Sequence, residues 1–177
     1  RARDPNFRRA EADSLMAAAV RARGLQKIWS SQHEQGLYDL ALAERFGPLD
    51  SQASAWRSSA AFYLYANSFF GVVWDQAAIY FSQLCSAGGW DSCSKYATAA
   101  MKYGDQLMEA NDPCAAIGQY RASLDTRDND VLRPTADHAE EACQTATTRP
   151  PTPTVTITPT FGLPVETLTP TPTTGGP

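Results

Sequence analysis

Four cysteines, Cys85, Cys93, Cys114 and Cys143, are the side chains of this sequence best equipped for chemistry, since a thiolate can attack, bind a metal or pair with a second sulfur. Their intervening stretches of 7, 20 and 28 residues contain no Cys-x-x-Cys knuckle, which argues against zinc and for two disulfides made in an oxidising compartment. His33 and His138 are the only histidines and lie more than a hundred residues apart, in no His-Glu-x-x-His run. No Gly-x-Ser-x-Gly turn and no glycine-rich phosphate loop occurs. Glu140 and Glu141 flank His138 closely enough to suggest an acid/base pair. Adjacent residues on a helix point about 100° apart, however, so this trio reads as a solvated helix face. The expectation is a chain without catalytic residues, metal or cofactor.

What these side chains can do depends on the elements that carry them. With 177 residues, 43% hydrophobic and 19% charged, the chain can bury one core of ordinary size, and a single folded domain is expected. Residues 1–146 are rich in Ala, Leu, Gln, Glu, Arg and Met and poor in β-branched runs, a helical composition. Gly47-Pro48, Gly88-Gly89, Asn111-Asp112-Pro113 and the Arg127-Asp128-Asn129-Asp130 turn before Arg133-Pro134 divide it. The spacing predicts helices near 5–31, 36–46, 51–70, 75–85, 91–109, 112–124 and 134–147. Three cysteine connectivities exist on paper, and this plan favours one. Cys85 ends one helix and Cys93 opens the next, whereas Cys114 opens a helix and Cys143 lies near the end of the following antiparallel one. A Cys114–Cys143 bridge would contribute about 3–4 kcal/mol by closing a long loop.

Residues 147–177 form a second region of different composition: twelve Thr and eight Pro in 31 residues, with Arg149 and Glu166 the only charges. Such a stretch cannot build a core, because Pro removes donors and few large apolar groups offset chain entropy. It reads as an extended Thr/Pro-rich stalk. Either O-glycosylation, at Thr152, Thr154, Thr156, Thr158, Thr160, Thr169, Thr171 and Thr173, or use as an unmodified linker fits this composition. Two apolar islands, Val155 with Ile157 and Phe161 with Leu163 and Val165, are candidates for docking the tail on a protein surface, the first alternating as a half-buried strand does.

A formal net charge of −4 argues against a nucleic-acid partner, whose phosphates are held mainly by Lys and Arg. Arg1, Arg3, Arg8, Arg9, Arg21 and Arg23 crowd the start, as on a solvated helix face or an anionic-surface contact. No run of eighteen or more apolar residues exists, so no segment is expected to span a bilayer. The first residue is Arg rather than Met, a feature shared by processed and excised chains.

The helical region repeats. Trp56, Ala60 and Tyr63 match Tyr96, Ala100 and Tyr103 at an offset of 40, and Ala77, Phe81 and Leu84 match Ala116, Tyr120 and Ser123 at 39. A weaker earlier copy is Tyr38, Ala41 and Leu42, preceded by a helix with Leu25 and Ile28. Residues at positions 1, 5 and 8 share a helix face, where small side chains admit a partner helix and aromatics fill the groove. At these positions the chain resembles the tetratricopeptide repeat (TPR) family, whose helix pairs carry Trp-x-x-Leu-Gly-x-x-Tyr and then Ala-x-x-x-Phe-x-x-Ala. The resemblance covers residues 10–147 with a period near 40 instead of 34, so its helices or connections are about a turn longer. It implies an all-α, right-handed solenoid of about three TPR-like helix pairs with residues 134–147 as a capping helix, followed by the extended tail.

The resemblance also implies a concave groove lined by the first helix of each pair. By position from Trp56 and Tyr96 it places there Ser54, Arg57, Ala61, Leu64 and Tyr65, then Ser94, Ala97, Met101 and Asp105. Only Arg57 is basic, which speaks against the paired Lys and Asn of the family's peptide-carboxylate clamp. Leu64, Tyr65 and Met101 serve equally as core between repeats, and Trp29, Trp74 and Trp90 as core or loop packing. The functional expectation is an extracellular or cell-surface protein-interaction module, in its sharper form a self-assembling subunit of a filament or layer whose partners are copies of itself. The alternative is a monomeric domain that binds a peptide or envelope protein from a glycosylated stalk.

Overall fold

A computed structural model describes residues 8–148. These residues form seven helices and no strand: α1 (Arg9–Trp29), α2 (His33–Glu44), α3 (Ser51–Phe69), α4 (Trp74–Ser86), α5 (Ser92–Glu109), α6 (Pro113–Thr126) and α7 (Arg133–Thr148). The tail-docking candidates Val155, Ile157, Phe161, Leu163 and Val165, and the eight glycosylation candidates from Thr152 to Thr173, lie outside the described residues.

Local chemistry sets the boundaries. Asp50 caps α3 by accepting from the Ala53 N–H, and Asp112 caps α6 by accepting from the Ala115 N–H just before Pro113 at the first helical position. Ser31 (φ 62°), Gly88 (φ 75°) and Asn111 (φ 61°) turn left-handed where α1, α4 and α5 stop. Each helix packs mainly on those before and after it in the chain, and α1 also touches α3.

Both disulfides join the expected partners, Cys85 with Cys93 and Cys114 with Cys143, across Cα separations of 4.5 and 4.8 Å. The first ties the end of α4 to the start of α5, and the second ties α6 to α7. Three apolar clusters run along the molecule, around Ile28 and Leu40, around Tyr63 and Phe81, and around Tyr120 and Ala139. Burying a side chain such as Phe81 or Ile28 contributes roughly 1.5–3 kcal/mol.

Of the repeat residues, Ala60, Tyr63, Ala77, Phe81, Ala100, Ala116 and Tyr120 are buried, and Trp56, Tyr96 and Tyr103 are half-buried. Close helix contacts also fall at glycines outside the aromatic-small-aromatic motif. A Cβ on Gly36 would sit 2.5 Å from Ile28 and 2.8 Å from the Gly24 carbonyl oxygen, so α1 and α2 touch backbone to backbone. A Cβ on Gly104 would sit 2.6 Å from the Tyr120 ring, which seats α5 on α6. In the weaker first copy the buried residues of α2 include Gly36, Leu40 and Ala43, while Tyr38 is exposed. The reason is steric: Leu40 fills the space that Gly24 leaves open.

Candidate functional site

The sharpest constellation of polar and aromatic side chains forms where the start of α2, the second half of α3 and the start of α5 meet. Trp90 organises it. The Cys85–Cys93 ring encloses this residue, whose backbone is left-handed at φ 41°, an uncommon conformation for a large side chain. Its indole N–H donates to the Ile28 carbonyl of α1 at 3.0 Å, and its ring meets Tyr63 at 5.1 Å, Trp56 at 6.0 Å and His33 at 4.3 Å. Edge-to-face contacts of this kind contribute about 0.5–1.5 kcal/mol each beyond their buried area.

His33 lies between two of these rings, stacked on Tyr63 at 4.4 Å and edge-on to Trp90, with only 5% of its surface exposed. Burial lowers its pKa, Lys95 lowers it further, and Asp91 opposes both. Its Nε2 has no hydrogen-bond partner among the described residues. Tyr63 donates its hydroxyl to Asp91 at 2.5 Å, and burial followed by that hydrogen bond raises its pKa. Lys95 donates to the Asn67 side-chain oxygen, lies 3.8 Å from Asp91 and sits 4.8 Å above the centre of the Tyr63 ring.

Beside this cluster opens a cleft of about 420 Å³, lined by residues 31–35 with Tyr63, Leu64, Asn67, Asp91 and Lys95. Burial raises the pKa of the Tyr63 phenol and lowers that of the His33 imidazole. Amide, ammonium and carboxylate groups surround an aromatic floor and offer hydrogen-bond donors and acceptors to a polar ligand. Among the described residues no group of three or more His, Cys, Asp or Glu could hold a metal ion.

The groove residues expected from the repeat do not share one recess. Leu64 lines the cleft just described, whereas Ala97 and Met101 line a smaller one of about 300 Å³ with Ser123 and Arg127. Tyr65 lies against Tyr80 of α4, their hydroxyls 3.5 Å apart. Arg57 pairs with Glu44. Asp105 accepts from the Tyr120 hydroxyl at 3.0 Å and pairs with Lys102, and burial together with Asp105 pushes the Tyr120 pKa up to about 12. Ser54, Ala61 and Ser94 are exposed.

His33, Asp91 and Lys95 were not singled out as one group by sequence reasoning, because nothing local links residues about 60 positions apart. The one available signal was a tryptophan enclosed between two cysteines, where a covalent ring can hold a strained backbone in place.

The described residues define an all-helical, disulfide-stapled fold with a polar, aromatic-floored cleft. Compared with known proteins, it matches no family model, no curated protein and no solved structure. Among the described residues no helix is long and apolar enough to cross a membrane.

Proposed function

We propose that this chain is a non-enzymatic interaction module acting outside the cell or at its surface, a self-assembling subunit of a filament or layer whose tail docks on a neighbouring copy. In this reading the helices form a right-handed, TPR-like solenoid of about three pairs with α7 as the cap. The observation that carries it is the succession of helices that pack mainly on their sequence neighbours. A stack of that kind ends in faces that another copy can continue, and a head-to-tail contact that does not close produces a fibre. Two disulfides favour an oxidising, extracellular setting, and the Thr/Pro tail fits a glycosylated surface segment.

Negative-stain imaging beside light scattering of the native, non-reduced protein tests this reading. Regular polymers are the expected result, and removal of residues 149–177 should weaken or abolish them while circular dichroism stays helical. Dispersed particles at all concentrations would overturn assembly. Polymers unchanged by the deletion would overturn the role of the tail.

The cleft beside Trp90 supports a second reading, a monomeric domain that binds a peptide or envelope protein there. Binding that is lost in Lys95→Ala and retained without the tail would favour it.

A further inference from the structure

The α3/α4 hairpin carries an aromatic surface that the rest of the fold leaves open. Tyr65 stands 5.1 Å from Phe69 and 5.1 Å from Tyr80, and Tyr80 meets Phe69 at 5.3 Å and Phe62 at 5.9 Å, centre to centre. Phe62, Phe69 and Tyr80 rest on the core below, whereas Tyr65 remains 49% exposed, and Ile79 beside Tyr80 is 50% exposed. The hairpin is also nearly devoid of charge. Residues 58–90 contain Asp75 as their only charged side chain, in a chain that has 15 basic and 19 acidic ones.

The tail shares that property, with Glu166 its only charged side chain from residue 150 onward. Residues 150–165 carry no charge at all and include Pro150, Pro151, Pro153, Pro159 and Pro164. Exposed aromatic rings set side by side are the surface that takes proline-rich, extended segments, since proline is already restricted in φ and loses little entropy on docking. An uncharged acceptor suits an uncharged ligand because no ion has to be stripped of water without a partner. The uncharged stretch begins two residues beyond the end of α7. Sixteen residues in polyproline geometry span roughly 50 Å, enough to leave one subunit and cross the face of another.

We propose that the Phe62, Tyr65, Phe69 and Tyr80 surface of one copy receives residues 150–165 of a second copy. This inference rests on the reading of the chain as a self-assembling subunit with a docking tail, and it names the acceptor. Each copy presents one acceptor and one donor segment, so the contact is heterologous and propagates wherever it does not close into a ring or a reciprocal exchange.

The test uses the full chain with Ile79→p-benzoylphenylalanine, which leaves the four rings intact. Equal amounts of ¹⁴N and ¹⁵N copies are mixed, irradiated and mapped by mass spectrometry, with light scattering recorded on the same sample. Mixed-isotope crosslinks from position 79 to residues 150–165 are expected. Crosslinks confined to one copy, crosslinks to any other segment, or polymers that yield none would overturn the acceptor while leaving assembly standing. Scattering that stays monomeric would overturn the assembly reading itself, and this inference with it. In an independent arm, Tyr65→Ser with Tyr80→Ser should raise the concentration needed for assembly at least about tenfold, the effect of losing a central aromatic contact. An unchanged threshold in a variant that remains helical by circular dichroism would also overturn the proposal. The crosslinking decides alone if that variant does not fold.

Discussion

The first and second hairpins are built from helices of comparable length and yet meet in different ways. In α1/α2 the chain carries Gly24 and Gly36, twelve positions apart, and the backbones touch. In α3/α4 the position that Gly24 and Gly104 occupy in the 40-residue register carries Leu64, and those helices meet far less extensively. The third pair, with Gly104 and Ala116, returns to the close arrangement of the first. How closely two helices approach is therefore governed by the smallest side chain at their crossing, more than by how apolar they are. Where Leu64 takes the place of glycine, the contact is less extensive, and Tyr65 beside it stays half-exposed.

Four changes break or sharpen this contrast. The largest effect is expected at the covalent end: Cys114→Ser with Cys143→Ser should remove about 3–4 kcal/mol from the unfolding free energy measured in urea, by releasing a long loop in the unfolded chain. Next comes Gly36→Ala. Its methyl meets the Gly24 carbonyl oxygen, which cannot swing aside, so a loss of about 1–3 kcal/mol is expected. Gly118→Ala is the matched control, since nothing lies within 4 Å of the added methyl, and there a helix gains up to about 1 kcal/mol. If both substitutions shifted the urea midpoint the same way, close packing at Gly36 would not be the cause.

In the α3/α4 pair, Tyr65→Ala should cost about 1 kcal/mol or less, because the ring is half-exposed. A loss as large as that of Gly36→Ala would show that the two hairpins are equally tight. The smallest effect concerns pH. The folded state lowers the pKa of His33, so its stabilising contribution is complete above the ordinary value of 6.5 and declines as pH falls below it. Tyr63 and Trp90 enclose the imidazole, and Asp91 and Lys95 are the charges that act on it. Urea midpoints on either side of pH 6.5 should differ in the native chain and converge in His33→Phe. Asp39 titrates in a separate window. Held by Arg23 and Lys27, its carboxylate has a lowered pKa, and its contribution is lost only as pH drops below 3.8 and through that lowered value.

The seven helices and both cysteine pairs were legible because breakers and caps act locally: Gly47-Pro48, Asn111 and Asp112-Pro113 each announce an end or a start within a few residues. The close helix contacts were harder to read. Glycine inside a helix looks like a weakness when judged by propensity, so Gly24, Gly36 and Gly104 give a weaker sequence signal than the aromatic motif around Ala60 and Ala100. The cleft was least legible, since His33, Tyr63, Asp91 and Lys95 are drawn together by tertiary packing that leaves no short-range pattern.

Trp90 also bears on how the molecule carries load. A row of helices that grip mainly their neighbours would peel apart one hairpin at a time when pulled from its ends. Here the indole reaches back 62 residues to the Ile28 carbonyl, and the loop that holds it is closed by a covalent ring. Tension on α1 therefore reaches the Cys85–Cys93 loop before the first hairpin can slide away from the third helix, and the two ends of that span must yield together.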